Sequence, residues 1–421
     1  MKELALSVDW DLHSRAIATA LAETSGAASG EDAARIVRDR LRPQFAELSK
    51  CRSTSELLAN PSYQEIRHLA DRVLRTTETG RYATASPPAK RSYRVVAWNL
   101  ERGIEYEGQL EALRSHPYLR TADVYLVTET DLGMARSGNR NVARDLARNL
   151  GLDYAFAPCY LSLSKGAGVE SEATGENELG LHGNAILSRY PIRDPRPIPL
   201  GNGRDKMRGR EKRLGRQAAV AAEISLPDLD LSVCSVHLDA QSRQSHRRRQ
   251  MEAVIDAMPR SGPAVIGGDW NTTTFDSSSA FAAIVGFWVR VLLGTRNTIR
   301  NHFLRPYNYF ERGLFQLLER HGFEWREANL LDERTTSYDV DDAKAHKNLR
   351  EWVPAWCFDF IRWALREFDG KCPLKIDWFA VRDLTPHSPT VLHELREERQ
   401  PPLSDHDAIG IDLLVPERQK I

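Results

Sequence analysis

The chain has 421 residues, with 58 Lys+Arg against 58 Asp+Glu and a formal net charge of zero. Hydrophobic residues make up 41% and charged residues 28%, a globular composition that excludes whole-chain disorder and fibrous repeats. Zero net charge also argues against a protein that coats nucleic acid by bulk charge, and leaves room for a local basic cleft.

The N-terminus, MKELALSVDWDLHSR, meets Asp9 and Asp11 before an apolar run develops, so no secretory signal is expected. Residues 1–90 are read as a helical N-terminal extension and linker. Ile36, Val37, Leu41 and Phe45 recur near helical spacing, as do Ile66, Leu69, Val73 and Leu74 after Pro61. Residues 77–90 (TETGRYATASPPAK) are turn-rich and read as the linker.

After Arg91 short β-branched runs begin: YRVVAWN (93–99), DVYLVTET (123–130), GNAILSR (183–189), AAVAAEI (218–224), LSVCSVHL (231–238), PAVIGGDWN (263–271), KIDWFAV (375–381) and AIGIDLL (408–414). Helical segments, such as 141–150 and 244–258, fall between some of them. This pattern predicts an α/β sandwich. Tyr160 to Gly180 reads as a mobile loop. Residues 272–335 read as a helical insertion. Its apolar face holds Phe281, Ile284, Val285, Trp288, Val291 and Leu292, and it suits packing on the body, a substrate lid or a peripheral membrane contact. The longest uncharged apolar run, Ala280 to Val289, is too short for the roughly 20 residues of a membrane span.

Five cysteines, far apart and with no CxxC, argue against a disulfide scaffold or a structural zinc site. They fit a reducing, cytoplasmic compartment.

Polar residues gather at strand ends: Asn99 and Glu101, Glu129, His237 and Asp239, Asp269 and Asn271, Asp377, and Asp405 with His406. Carboxylates and amides without paired cysteines suit a hard cation, Mg²⁺ or Mn²⁺. Such a cation with histidines suits a phosphoester substrate.

The order of WNLERG (98–103), VTETD (127–131), GNAILSRYPI (183–192), SVHLD (235–239), GGDWNT (267–272), IDWFAV (376–381) and LSDHDAI (403–409) resembles the endonuclease/exonuclease/phosphatase family over about residues 92–416. The corresponding domain is taken as 91–416. The resemblance implies a deoxyribonuclease-like α/β fold, a two-layer β-sandwich flanked by helices with the site at one end, and metal-dependent phosphoester hydrolysis. By it, Glu129 matches the principal metal ligand, with Asn99 and Glu101 at metal and phosphate positions and Asp405 assisting. Asp269 matches the group that orients or deprotonates the attacking water, and Asn271 contacts phosphate. His406 matches the histidine that binds the scissile phosphate or moves a proton, and Asp377 the carboxylate that orients it. His237 matches the catalytic histidine of the branch with a His-Leu strand end. Asn184 and Arg216 are expected to touch substrate.

Two basic clusters, residues 204–216 (RDKMRGREKRLGR) and Arg243 with Arg247–Arg249, favour DNA or RNA as substrate. Neutral net charge and the apolar insertion favour a phospholipid or a soluble phosphoester. A non-enzymatic binding module ranks last, because Glu129, Asp269, Asn271 and His406 are all present.

Overall fold

The structure is a computed structural model that describes residues 30–85, 87–272, 280–341 and 355–415. In chain order its strands are β1 (Glu78–Gly80), β2 (Ser92–Arg102), β3 (Val124–Leu132), β4 (Asp153–Ser162), β5 (Leu181–Ser188), β6 (Ile192–Pro199), β7 (Arg213–Gly215) and β8 (Ala218–Ser225). Then come β9 (Asp230–His237), β10 (Ala264–Asp269), β11 (Thr336–Asp339), β12 (Lys371–Leu374), β13 (Asp377–Arg382), β14 (Thr385–Leu392) and β15 (Ala408–Leu414). The first sheet has the order β1-β4-β5-β3-β2-β15-β14, with β7 also pairing β4, and the second β13-β10-β9-β8-β6.

The sheets pack face to face. Val95, Ala97, Val124, Leu126 and Ile186 of the first interdigitate with Val220, Val233, Val265, Phe379 and Val381 of the second. Burying each such aliphatic side chain contributes on the order of 1.5–3 kcal/mol. The helices that cover the outer faces include α1 (Gly30–Ile36), α2 (Pro61–Leu74), α3 (Tyr106–Ser115) and α4 (Val142–Leu150) on the first sheet. On the second sheet they are α5 (Gln244–Ala257) and, further along, α7 (Arg312–Arg320). The fold is therefore the expected sandwich flanked by helices, with a helical N-terminal region.

Two strands absent from the sequence reading, β6 and β14, contain three and two prolines. Both are sheet edges, where a missing N–H is tolerated. The stretch read as a linker contains β1, which extends the first sheet beside β4. Residues 30–76 also bury Val37, Leu41, Tyr63, Ile66 and Val73 against the first sheet, so this region is part of the body.

The stretch 272–335 divides in two. Its first part contains α6 (Ala280–Leu293). Its second part packs on the second sheet: Phe315 and Trp325 lie 4.5 Å apart, and Phe315 lies 4.8 Å from Trp378. A further helix, α8 (Ala355–Ala364), and the β11–β12 pair lie beyond the expected insertion.

Candidate active site

Strand register assembles one half of the site. β10 pairs β13 with Asp269 opposite Asp377, and pairs β9 with Asp269 opposite His237. Gly268 allows this close packing: at φ 133°, a Cβ would sit 2.2 Å from the Val236 carbonyl oxygen. That position is closed to other residues.

Asp269 is the hub. Its Oδ2 accepts from Asn99 Nδ2 (3.3 Å) and Asn271 Nδ2 (3.3 Å). His237 Nε2 lies 3.4 Å away and His406 Nε2 3.8 Å away. Its Oδ1 accepts from the Asn271 backbone N–H at 2.9 Å. Burial pushes the Asp269 carboxyl up to about 6, against the pull of His406 and His237 and with the help of Asp377.

On its other side, His406 Nδ1 lies 2.9 Å from Asp377 Oδ2. Burial alone favours the neutral ring, but the Asp377 and Asp269 carboxylates outweigh it and hold the His406 pKa well above its usual value. Thr335 ties the pair together. Its Oγ1 accepts from the Asp377 N–H (3.1 Å), and its carbonyl accepts from the Asp407 N–H (2.7 Å). Asp407 in turn takes a two-pronged bond from Arg396 (2.8 and 3.0 Å).

The other half is built from irregular backbone. β2 bulges between Asn99 and Arg102, and β3 between Val127 and Thr130. Glu101 (φ 44°), Arg102 (φ 68°) and Glu129 (φ 52°) are left-handed, as is Asn271 (φ 50°). Bulges at strand ends re-aim side chains. Asn99 Oδ1 accepts from the Glu101 N–H (3.0 Å), and Glu101 Oε2 accepts from the Asp405 N–H (3.1 Å). Asp405 itself stands exposed at the rim.

Glu129 Oε2 pairs with Arg102 Nη1 at 3.2 Å, and its Oε1 lies 3.9 Å from His237 Nε2. Burial raises the Glu129 pKa, yet Arg102 and the histidines 237, 182 and 406 together hold it well below the usual carboxylate range. Behind it runs an ion-pair chain. Arg102 also meets Glu170 (3.1 Å), Glu170 meets Arg136 (2.7 Å), and Arg136 meets Asp131 through two bonds of 2.8 and 3.0 Å. Asp131 accepts His182 Nδ1 at 2.8 Å.

Arg102, Arg136, Asp131 and Glu170 carry no role in the sequence reading. Arg102 and Asp131 lie inside the quoted segments WNLERG and VTETD. Glu170 had no local signal, because it sits in the Gly/Ser/Glu-rich stretch read as mobile. That stretch is instead anchored: Glu170 is buried, and Asn177 Oδ1 accepts from the Ala135 N–H at 2.9 Å.

Asn184 is committed on both sides of its amide. Its Oδ1 accepts from the Glu129 N–H (3.3 Å), and its Nδ2 donates to the Ala218 carbonyl (2.8 Å). It holds the Glu129 backbone. Arg216 turns elsewhere: the charged and phenolic groups that act on it are Asp71, Arg75 and Tyr63, on and beside α2. The basic clusters are partly internal as well. Lys206 pairs with Asp239 (3.2 Å), Lys212 donates to the Ser49 carbonyl (2.6 Å), and Arg247 is buried against Glu311 (2.9 Å).

A sequence profile of the endonuclease/exonuclease/phosphatase family matches residues 96–406. The chain belongs to that family. Family members are divalent-metal-dependent phosphoester hydrolases. No curated protein matches the chain. Among solved structures, an endonuclease/exonuclease/phosphatase from Beutenbergia cavernae DSM 12333 is similar at 15% identity, covering 77% of this chain and 72% of that one, with TM-score 0.46. An AP endonuclease from Archaeoglobus fulgidus is similar at 14% identity, 77% and 100% coverage and TM-score 0.44. A 3′–5′ exonuclease from Neisseria meningitidis is similar at 15% identity, 76% and 98% coverage and TM-score 0.42.

The donors fit the family's metal. Glu129, Glu101, Asp405 and the Asn99 amide offer hard oxygens, with no thiolate among them. Among the described residues, Asp269, Asp377 and His406 also bring ligand atoms within 4.8 Å of one another. In that trio His406 Nδ1 is already hydrogen-bonded to Asp377, and among the described residues Glu129, Glu101 and Asp405 do not form a group as close as this one.

Proposed function

We propose that this chain hydrolyses phosphodiester bonds in DNA or RNA with the aid of Mg²⁺ or Mn²⁺. The observation that carries the reading is the ring of Asn99, Asn271, His237 and His406 around one oxygen of Asp269, with Asp377 behind His406. Glu129 is the principal ligand, assisted by Asn99, Glu101 and Asp405. When bound, the cation supplies charge neutralisation at the phosphoryl oxygens.

Asp269 orients a water molecule and takes its proton, and a carboxyl near pH 6 suits that task at neutral pH. His406, held protonated by Asp377, stabilises the phosphate or protonates the leaving oxygen. His237 and Asn271 hold phosphate oxygens. The reacting unit is residues 91–416, and the N-terminal region supports it from outside. A reducing, cytoplasmic compartment is part of this reading, supported by the buried free thiols of Cys51, Cys159, Cys234 and Cys372.

Nucleic acid is favoured by one surface. Asp239 accepts from the Gly203 N–H (2.8 Å) and pairs with Lys206, stitching the 201–215 loop to the turn after His237. The joined loops and the first turns of α5 carry exposed Arg208, Arg210, Arg243, Arg248 and Arg249. Arginines spread in this way can track a phosphate backbone. A phospholipid phosphoester is the second reading, favoured by the outward apolar stripe of α6.

The test is turnover by the full chain of plasmid DNA, single-stranded RNA, sphingomyelin vesicles and bis-p-nitrophenyl phosphate, with Mg²⁺, Mn²⁺ or chelator. Nuclease activity lost with chelator and in Asp269→Ala is expected. Turnover of sphingomyelin alone replaces the nuclease reading with the second one.

A further inference from the structure

Helix α6 turns an apolar stripe toward solvent. Val285, Trp288, Val289, Leu292 and Leu293 recur at the spacing of one helix face, and all five are exposed, Leu292 to 84%. A surface helix normally turns such a stripe toward the core. Beside it, Trp288 lies 5.6 Å from Phe360 of α8, and Trp363, one α8 turn later, is 56% exposed. Most of the large hydrophobic residues exposed among the described residues are therefore gathered on this excursion. A concentration of that kind marks an interaction surface.

Charge selects the partner. Residues 277–310 contain no Asp or Glu, and they carry Arg290, Arg296, Arg300 and Arg305. Next to α6 opens a cleft of about 670 Å³ lined by Arg296, Arg300, Trp363, Arg366 and Glu367. The Arg366 guanidinium lies over the Trp363 ring at 4.6 Å. Arg296 is paired with Glu367 at 3.1 Å, so Arg300 and Arg366 are the cations best placed for an incoming anion. The 14 residues of α6 span roughly 21 Å at the helical rise of about 1.5 Å per residue, too short to cross a bilayer. An apolar stripe, an aromatic residue at its edge and basic side chains beside it describe a helix that lies in the membrane interface.

We infer that the α6–α8 excursion docks on a bilayer of anionic phospholipid. The stripe enters the headgroup–acyl boundary, and Arg300 and Arg366 take lipid phosphates. Both helices belong to the segment between Asn271 and Asp377, which packs on the body through α7 and Thr335 between them, so docking tethers the domain that carries the site to the membrane surface. The inference concerns location and stands whichever phosphoester is hydrolysed.

The test is flotation of the full chain with vesicles of phosphatidylcholine alone and of phosphatidylcholine mixed with phosphatidylserine. Strong binding to the mixed vesicles alone is expected. Leu292→Glu should weaken partition by roughly tenfold or more, since it withdraws one aliphatic side chain from the interface. Arg300→Glu with Arg366→Glu should remove the preference for phosphatidylserine, and neither variant should change the circular dichroism spectrum. Failure of the wild-type chain to float overturns the inference, as does equal binding by Leu292→Glu. Sedimentation showing a dimer that Leu292→Glu dissociates also overturns it, by making a second copy the occupant. None of these outcomes depends on turnover, so each is separable from failure of the hydrolase reading.

Discussion

On the second-sheet side of the rim, Asp377, Asp269 and His237 stand in a row because three neighbouring strands are in register. On the first-sheet side, Glu129 is held by a chain of ion pairs running through Arg102, Glu170, Arg136 and Asp131. The first arrangement sets two carboxylates and a histidine side by side on neighbouring strands, with His406 and Asn99 reaching across to them from the first-sheet side. The second positions a negative charge with cations and anions drawn from β2, β3 and the loops that follow β3 and β4. A regular sheet supplies spacing, whereas a buried charge needs compensation from several segments, because desolvation penalises any member left alone.

The largest break in this comparison should come from Asp269→Ala or His406→Ala. Each is expected to lower kcat/KM by roughly 10²–10⁴-fold while the thermal midpoint moves by only a few degrees. A comparable loss of fold would make the ring a structural cluster.

Arg136→Met tests the other half. It strands Asp131 and Glu170, and urea unfolding should show a loss of about 3–5 kcal/mol. Asp131→Asn paired with Arg136→Met should recover part of that loss, which a purely steric role for Arg136 cannot do.

Asp377→Asn sharpens the proton-handling half. In the wild-type chain kcat/KM should rise as pH passes about 6, where Asp269 loses its proton. A falling limb should appear only at high pH, because His406 is held protonated. Without Asp377 that falling limb should move down toward neutrality. The stability signs follow from the same pair. A raised histidine pKa contributes stability fully present below the ordinary value of about 6.5 and lost as pH climbs through the folded value. The stability deficit of Asp377→Asn should therefore be largest in mildly acidic buffer and shrink as pH rises. A deficit that grows with pH would show that His406 is neutral.

Smaller still, Thr335→Val should cost about 1 kcal/mol and modestly lower kcat, because it removes the acceptor for two strand-start N–H groups. Arg216→Ala should leave KM nearly unchanged, as its surroundings are those of α2. A several-fold rise in KM would return Arg216 to the substrate surface.

Eight of the strands were legible as β-branched runs, and most of the polar residues at their ends meet in the site, Asp239 being turned instead to Gly203 and Lys206. Their identity and order along the chain were enough to suggest hydrolytic chemistry. The proline-bearing edges β6 and β14 were not legible, because a residue that forbids a central strand says nothing against an edge.

The sequence by itself determined which residue types close each strand, that the donors are oxygen and imidazole, and that 277–310 is apolar and basic. Tertiary structure alone decided their partners. Register placed Asp377 against Asp269, a loop distant in sequence delivered Glu170 to Arg102, and the body took Phe315 while leaving Leu292 exposed. Local pattern encodes which face of an element is apolar or charged. Which surface meets that face depends on contacts between segments far apart in the chain, and no single window of sequence contains them.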